Sequence, residues 1–247
     1  MSHPAAAMDL GARRWTELGH GHHRWLLAVP VGSCEQHGPH LPLDTDTLIA
    51  VSLAESLARR RDDTLVAPAI GIGASGEHAS FPGTLSIGTE ALTDVLVELA
   101  RSALPDPTGT ATTDLTTADP FSAVLFVNGH GGNVDALERA RSLLGLESRR
   151  VDVWHPRVHG GDPHAGHTET SLMLFLHPDR VEEGLAEVGS TARFSEIGSQ
   201  LTSGRLADVS PNGVLGDPTG ATAEVGAALF EGLLDDLLGT ASRLQGT

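Results

Sequence analysis

The chain has 247 residues, of which 40% are apolar, and it carries a formal net charge of −16. This length suffices for a sizeable core, and the acid excess argues against nucleic acid or an anionic membrane as a partner, because phosphate groups would be repelled. A single cysteine, Cys34, excludes an intramolecular disulfide framework, and the lack of a signal-peptide core or an apolar run of about 18 residues predicts a cytoplasmic protein without a membrane span.

Short apolar segments alternate with longer amphipathic segments along the chain. The apolar segments predict strands at 25–32, 64–73, 121–128 and 149–154. The segments with helical spacing predict helices at 47–60, 89–104, 134–146, 168–175 and 222–244, with Thr89 and Thr168 as N-caps. This alternation predicts one α/β domain over residues 1–247, in which a mostly parallel central sheet lies between two layers of helices.

Two segments lack a periodic pattern. Residues 105–120 are rich in Thr, Pro, Asp and Gly, and we interpret them as a mobile surface loop inserted between a helix and the next strand. Residues 192–221 are also poorly patterned. We interpret this second segment as a flap or an oligomer contact.

The segment VGSCEQHGPHLPLDTDT, residues 31–47, follows the first predicted strand and is rich in acidic and imidazole side chains. Its glycines and prolines exclude a continuous helix. In an extended chain Glu35 and His37 face one side, while Gln36 faces the other. Asp46 follows a turn and would also suit a helix N-cap. Two carboxylates and an imidazole at the exit of one strand nevertheless form a ligand set for Zn, Mn or Fe(II).

A second cluster, NGHGGN at residues 128–133, also follows a predicted strand. His130 is its metal-capable side chain, and Asn133 is placed to cap the next helix. Open α/β sheets bind ligands at the carboxyl ends of their strands, so this cluster is expected to meet the first. Glu77 and His78 lie in a glycine-rich loop that reaches the same edge, and we predict that they contact substrate.

The third cluster is GGDPHAGHTETS, residues 160–171. Thr168 would cap the next helix and place Glu169 in its first turn, where a carboxylate is stabilising. This explanation does not account for His164 and His167. At a metal site, a histidine that is not a ligand would transfer a proton or bind developing charge on the substrate.

Four motifs in this order, GSCEQHGPHLPLDTD, SGEHASFPGTLSIG, NGHGGN and HAGHTETS, resemble those of the creatininase family of metal-dependent amidohydrolases. The resemblance extends from about residue 24 to about residue 180. It implies a creatininase-like α/β fold, a site for two divalent metal ions (Zn, Fe(II) or Mn) and a homo-oligomer, with a hexamer as one expected state.

By this resemblance, Glu35, Asp46 and His130 would hold one ion. His37, the bridging Asp46 and Glu169 would hold the other. Three carboxylates against two divalent cations leave a charge of about +1, which favours a bound hydroxide as the nucleophile.

The same resemblance implies roles for the remaining candidates. His164 is similar to the family's histidine that gives a proton to the leaving nitrogen, and Glu169 would be the second catalytic residue. His167 stands where many relatives carry glutamate, and with Glu77 and His78 it completes the predicted substrate-binding set.

The sequence departs from creatininase itself at two places. Gly132 stands where creatininase has a metal-binding glutamate, and GGDP replaces the aromatic clamp for creatinine. Creatinine is therefore not the expected substrate. The second and fourth motifs are most similar to a branch of the family that removes a C-terminal Val–Tyr dipeptide from a modified precursor peptide.

Two alternatives remain open. One is an amidohydrolase or deformylase that acts on a small cyclic amide or a formamide, and the size of the accepted substrate would separate it from a peptidase. The other is a metal-stabilised binding protein without turnover. All ligand positions are filled in this chain, which argues against the second alternative.

Overall fold

The computed structural model describes residues 8–18, 24–104, 120–192, 196 and 206–246. The predicted loop at 105–120 therefore lies outside the described residues, apart from its last position. Most of residues 193–205, the first part of the predicted flap, lies outside them as well. Within the described ranges, no helix has the length and apolar character needed to cross a membrane.

The central sheet consists of four parallel strands in the order β2-β1-β3-β4. Their bounds are β1 (Trp25–Val31), β2 (Thr64–Val66), β3 (Phe121–Asn128) and β4 (Val151–Trp154). β2 is much shorter than the predicted strand at 64–73. Pro68 has no N–H to donate to a ladder of backbone hydrogen bonds. Beyond it, Ile70 alone pairs with β1, through an isolated bridge to Val31.

The helices in the described part of the chain cover both faces of the sheet. They are α1 (Trp15–Leu18), α2 (Thr45–Arg60), α3 (Gly88–Ala103), α4 (Val134–Leu146), α5 (His167–Leu176), α6 (Leu206–Val209) and α7 (Ala223–Gln245). Apolar side chains of α2, α5 and α7 form one core with the sheet, and those of α3 and α4 form another on the opposite face. The predicted three-layer α/β fold is confirmed.

β1 illustrates why its sequence is apolar throughout. Leu26 and Ala28 pack in the core beneath α2, α5 and α7, whereas Leu27, Val29 and Val31 pack in the core beneath α3 and α4. Successive side chains of a strand point to opposite faces, and both faces are buried in a parallel sheet covered by helices. A continuous apolar run is therefore needed.

The helix starts agree with the predictions in one case and differ in another. α7 begins as predicted, and the Oγ1 of Thr222 accepts the N–H of Val225 at 3.2 Å. The prediction of Thr89 as the N-cap of α3 is wrong. Gly88, with a φ of 78°, already begins the helix, and Oγ of Ser86 accepts its N–H at 3.3 Å.

Candidate metal centre

Two of the predicted clusters leave the sheet side by side. Val31 at the end of β1 is the register partner of Asn128 at the end of β3. Asn133 ties the loops at this edge together, because its Nδ2 donates to the carbonyl oxygen of Gly32 and its Oδ1 accepts the N–H of Ala74, both at 2.9 Å. It occupies the predicted N-cap position of α4, but its side chain does not cap that helix.

The first group of ionisable side chains combines Glu35 and Asp46 with His130. Nε2 of His130 lies 3.1 Å from Oε2 of Glu35, and its Nδ1 lies 3.1 Å from Oδ2 of Asp46. All three side chains are buried, and they offer ligand atoms within 4.8 Å of one another. These distances are short enough for one shared cation.

Asp46 also belongs to a second group, with His37 and Glu169. Nε2 of His37 lies 3.1 Å from Oδ1 of Asp46 and 3.9 Å from Oε2 of Glu169. Ser33 Oγ donates to Oδ2 of Asp46 at 2.8 Å and holds the carboxylate in place. Each oxygen of Asp46 thus faces a different histidine, an arrangement that suits a carboxylate bridging two cations.

Glu35 provides a test of whether these residues fit a cation. Both of its carboxylate oxygens are buried without a hydrogen-bond partner, although Nε2 of His78 and Nε2 of His130 lie 3.3 Å and 3.1 Å away. An unpaired buried carboxylate is costly, and a cation among these side chains would compensate that cost. Carboxylate and imidazole groups in this combination are ligands for Zn, Mn or Fe(II), so the residues fit such a centre.

Neighbouring charges set the pKa values in these two groups. Burial lowers the pKa of His37, but the carboxylate of Asp46 outweighs burial and, with Glu169, raises it to about 10. At His130 the carboxylates of Glu35 and Asp46 likewise outweigh burial, and they hold the pKa well above its usual value. Burial, with Asp46 nearby, raises the pKa of Glu169 to about 7. The carboxylates therefore create a negative potential that suits bound cations.

His164 and His78 approach the same centre from two other loops. Nδ1 of His164 lies 3.9 Å from Oε1 of Glu35 and 4.0 Å from Oε2 of Glu169. With Glu35 and His37, His164 also forms a third possible ligand group. Burial lowers the pKa of His78 and, together with the charge on His37, that of His164. These two imidazoles favour the neutral form, unlike those of the first two groups.

Gln36 links these two histidines, although the alternation of side chains predicts that it faces away from Glu35 and His37. Its Nε2 lies 2.9 Å from Nδ1 of His78 and 2.9 Å from Nε2 of His164. Gln36 was not predicted to be a site residue. Its position in the chain between Glu35 and His37, two predicted metal ligands, was the signal that could have indicated it.

The start of α5 depends on Asp162 and not on the predicted cap. The carboxylate of Asp162 accepts the N–H of His167 and, at 2.9 Å, the N–H of Thr168, so the prediction of Thr168 as N-cap is wrong. Ala165, with a φ of 51°, donates its N–H to Oε2 of Glu169 at 2.6 Å. Asp162 lies too far ahead of the helix for the usual capping pattern to indicate it.

Glu77 reaches the first group, whereas His167 turns away from it. Oε1 of Glu77 lies 3.5 Å from Nε2 of His130. A side chain at position 132 would overlap both of these atoms. Glu77 thus occupies space that the missing side chain at position 132 would need. The ring of His167 lies with Nε2 3.0 Å from the carbonyl oxygen of Gly220, and His167 is not among the described residues that line the adjacent cavity.

The described residues line a cavity of about 990 Å³ next to both ligand groups. This volume is at the upper end of the range for small-molecule sites, roughly 300–1,000 Å³. Its described lining contains no arginine or lysine. The apolar part of the wall includes Val134, Leu206 and Leu215. Outside the two ligand groups, the acidic part consists of Glu77, Asp135 and Glu138.

Comparisons with known proteins agree with this geometry. The sequence model of the Creatininase family, described as creatinine amidohydrolase, matches residues 12–240. The mycofactocin precursor peptide peptidase of Mycobacterium tuberculosis strain CDC 1551 is 46% identical over 227 residues, which cover 88% of this chain and 84% of that protein. The peptidase of the same name from Mycolicibacterium smegmatis strain ATCC 700084 is 46% identical over 226 residues, covering 89% of this chain and 84% of that protein.

A solved structure described as "Creatininase Mn" has the same fold. It aligns with a TM-score of 0.73 and 22% sequence identity, and the alignment covers 96% of this chain and 98% of that one. At this level of identity the likeness concerns the fold alone. The two peptidases, by contrast, are similar in sequence across most of the chain.

Proposed function

Because the chain belongs to the creatininase family, we propose that it is a metal-dependent peptidase that removes the C-terminal Val–Tyr dipeptide from the modified mycofactocin precursor peptide. The observation that carries the chemistry is the carboxylate of Asp46, whose two oxygens each face a histidine of a different ligand group. The observation that supports the substrate is the 46% identity to mycofactocin precursor peptide peptidases over most of the chain.

We assign the ligands as the two groups of buried side chains. Glu35, Asp46 and His130 would hold one divalent cation, and His37, Asp46 and Glu169 would hold the other, with Zn, Mn or Fe(II) as the candidate ions. When bound, such ions lower the pKa of a water molecule and polarise a carbonyl group, which are the two requirements of amide hydrolysis.

The chain's own residues supply proton transfer and positioning. His164 lies beside both ligand groups, and we propose that it transfers a proton at Nδ1 to the leaving nitrogen. Glu169 serves both as a ligand and as a neighbour of His164. Glu77 and His78 line the cavity and are proposed to contact substrate. His167 as a substrate contact stays a prediction, since its ring hydrogen-bonds outside the cavity lining.

The cavity favours a peptide over a small cyclic amide. Its volume of about 990 Å³ far exceeds what a compact ring of a few atoms would fill. The apolar wall of Val134, Leu206 and Leu215 suits the side chains of a Val–Tyr segment. Size and lining thus support the peptidase over the alternative of an amidohydrolase or deformylase for small substrates.

We further propose that the protein acts in the cytoplasm as a homo-oligomer, with a hexamer as one expected state. The family resemblance supports the oligomer, and the single cysteine suits a reducing compartment. Two apolar side chains, that of Leu43 in the first cluster and that of Leu85, which pairs with Cys34, are 38% and 53% exposed and are consistent with a contact between copies. Sedimentation of the purified protein would measure the oligomeric state.

Incubation with the modified precursor peptide tests the proposal. Mass spectrometry should detect the dipeptide Val–Tyr and the shortened peptide, and both should disappear after exhaustive chelation and return when Zn, Mn or Fe(II) is added. Hydrolysis of creatinine or of a formamide, without cleavage of the peptide, would instead support the small-substrate alternative. No turnover of any of these substrates by metal-loaded protein would support a binding protein.

A further inference from the structure

We propose that Gln36 is a positioning residue that fixes the tautomers of His78 and His164, so that one imidazole enters the site as a hydrogen-bond donor and the other as a proton acceptor. The inference stands on the contact of the Gln36 side chain with His78 and on the contact of its main-chain carbonyl with His164. Only its consequence for catalysis rests on the proposed peptidase function.

The orientation of the Gln36 amide follows from two main-chain groups of fixed polarity. The N–H of Gly38 donates to Oε1 of Gln36 at 2.9 Å, and Nε2 of Gln36 donates to the carbonyl oxygen of Gly213 at 3.0 Å. An amide turned the other way would face a donor with a donor and an acceptor with an acceptor. Gly213, with a φ of 79°, packs so closely on this amide that a side chain there would overlap it.

The hydrogen on His164 can be placed by its contact with the main chain. Its Nε2 lies 2.9 Å from the carbonyl oxygen of Gln36 and 2.9 Å from Nε2 of the same residue. A carbonyl oxygen only accepts, so Nε2 of His164 carries the hydrogen. The opposite choice would set the lone pair of Nε2 against that of the carbonyl oxygen at 2.9 Å, and one of the three groups around Nε2 of Gln36 would then lack a donor.

The remaining hydrogen of the amide then fixes His78. Nε2 of Gln36 has two hydrogens, of which one goes to the carbonyl oxygen of Gly213 and the other to Nδ1 of His78 at 2.9 Å. Nδ1 of His78 must therefore be unprotonated, and the hydrogen of its ring lies on Nε2. This assignment uses both hydrogens of the amide, and the 2.9 Å approach of Nε2 of Gln36 to Nε2 of His164 is then a contact between two donors and not a hydrogen bond.

The two rings consequently present different atoms to the site. His164 presents a free lone pair on Nδ1, 3.9 Å from Oε1 of Glu35 and 4.0 Å from Oε2 of Glu169. His78 presents an N–H at Nε2, 3.3 Å from Oε1 of Glu35. A lone pair suits the removal and return of a proton, and an N–H suits stabilisation of developing negative charge on a carbonyl oxygen. Gln36 would thus assign complementary roles to two chemically identical side chains.

Neutron diffraction from deuterium-exchanged crystals of the zinc-loaded full-length protein would test the assignment without any substrate. We expect deuterium on Nε2 of His164 and on Nε2 of His78, and none on Nδ1 of either ring. Deuterium on Nδ1 of His78, or its absence from Nε2 of His164, would overturn the proposal. This readout is independent of whether the peptide is cleaved, so it separates failure of the inference from failure of the proposed function.

Two substitutions connect the tautomers to the rate. Gln36→Glu keeps the shape but cannot donate to Nδ1 of His78, so deuterium should move to that atom. Gln36→Met keeps the volume and removes all hydrogen bonds of the side chain, while the main-chain carbonyl that faces His164 remains. Both should lower kcat by roughly 10–100-fold with little change in KM, as for other supporting residues around metal sites. Gln245→Glu, on α7, adds the same charge far from the site and should leave kcat unchanged.

An unchanged tautomer of His78 in Gln36→Glu would contradict the proposal, as would a full kcat in a folded Gln36→Met protein. If Gln36→Met fails to fold, the neutron structure of the unmodified protein still decides the question.

Discussion

Two pairs of histidines lie in one site and behave in opposite ways. His37 and His130 lie against carboxylates, and their pKa values are raised, that of His37 to about 10. His78 and His164 lie against the neutral amide of Gln36, and burial lowers their pKa values. All four rings are buried, so burial alone does not explain the difference. At His37 and His130 the contacting carboxylates outweigh burial, whereas at His78 and His164 burial and the charges of neighbouring histidines prevail.

This comparison separates two kinds of chemistry within a single residue type. Histidines surrounded by carboxylates lie where cations are favourable, and we assign them to the metals. The histidines that contact the amide of Gln36 favour the neutral form, and we assign them to proton transfer and hydrogen bonding. Substitutions that remove a member of one pair should therefore change metal content, whereas substitutions in the other pair should change the rate alone.

The largest effect is expected from Asp46→Ala, which removes the carboxylate that contacts both histidines of the first pair, His37 and His130. Each oxygen of Asp46 faces a different histidine, so its loss should release both ions and reduce peptide cleavage to the uncatalysed background. Elemental analysis by plasma mass spectrometry and the peptide assay would measure the two outcomes. A variant that retained both its metals and its activity would refute the assignment of Asp46.

Asp44→Ala is the matched control for this substitution. Asp44 lies two residues away, its side chain is 45% exposed, and it pairs with Arg180 at 2.8 Å. An exposed ion pair of this kind is worth about 1 kcal/mol at most. Metal content and activity should therefore match those of the unmodified protein.

A smaller effect is expected from His164→Ala, which tests the amide side of the comparison. The variant should keep two ions and its fold, while kcat falls by about 10²–10⁴-fold, the usual contribution of general acid–base catalysis. The loss should affect kcat more than KM, because the proton moves in the transition state. Glu169→Ala should differ by losing one ion together with its activity.

Metal analysis of these two variants decides between the assignments. Glu35, His37 and His164 also offer ligand atoms within 4.8 Å of one another, which makes His164 the competing candidate for a metal ligand. If His164→Ala lost an ion while Glu169→Ala kept both, the roles of the two residues would have to be exchanged.

The smallest effect concerns the segment that presents His164 to the site. Asp162→Ala removes the acceptor for the first N–H groups of α5 and should lower the free energy of unfolding by about 0.5–2 kcal/mol, as for a lost N-cap. Thr168→Ala should change it by less than about 0.5 kcal/mol, because no capping bond is lost. Urea unfolding would measure both values. A larger loss for Thr168→Ala would restore the cap predicted from sequence.

Much of the fold could be predicted because its signals are local. The apolar runs of β1 and β3 and the helical spacing of α4 mark their elements within a few residues, since side-chain periodicity depends on neighbouring positions alone. The predicted strand at 64–73 was too long because Pro68 interrupts the ladder, and the predicted start of α3 missed the turn at Gly88. Such errors arise at boundaries, where single residues decide.

For the site, the sequence by itself determined which side chains could take part. Carboxylates and imidazoles are concentrated in three irregular segments, and two of these follow predicted strands at the edge where α/β sheets bind ligands. Tertiary structure alone decided which of them meet. Gln36 reaches His78 across 42 residues and His164 across 128 residues. Asp162 caps a helix from outside the usual pattern, and Glu77 occupies the space beside Gly132. These contacts depend on how distant loops pack over the sheet edge, and no local periodicity encodes that packing.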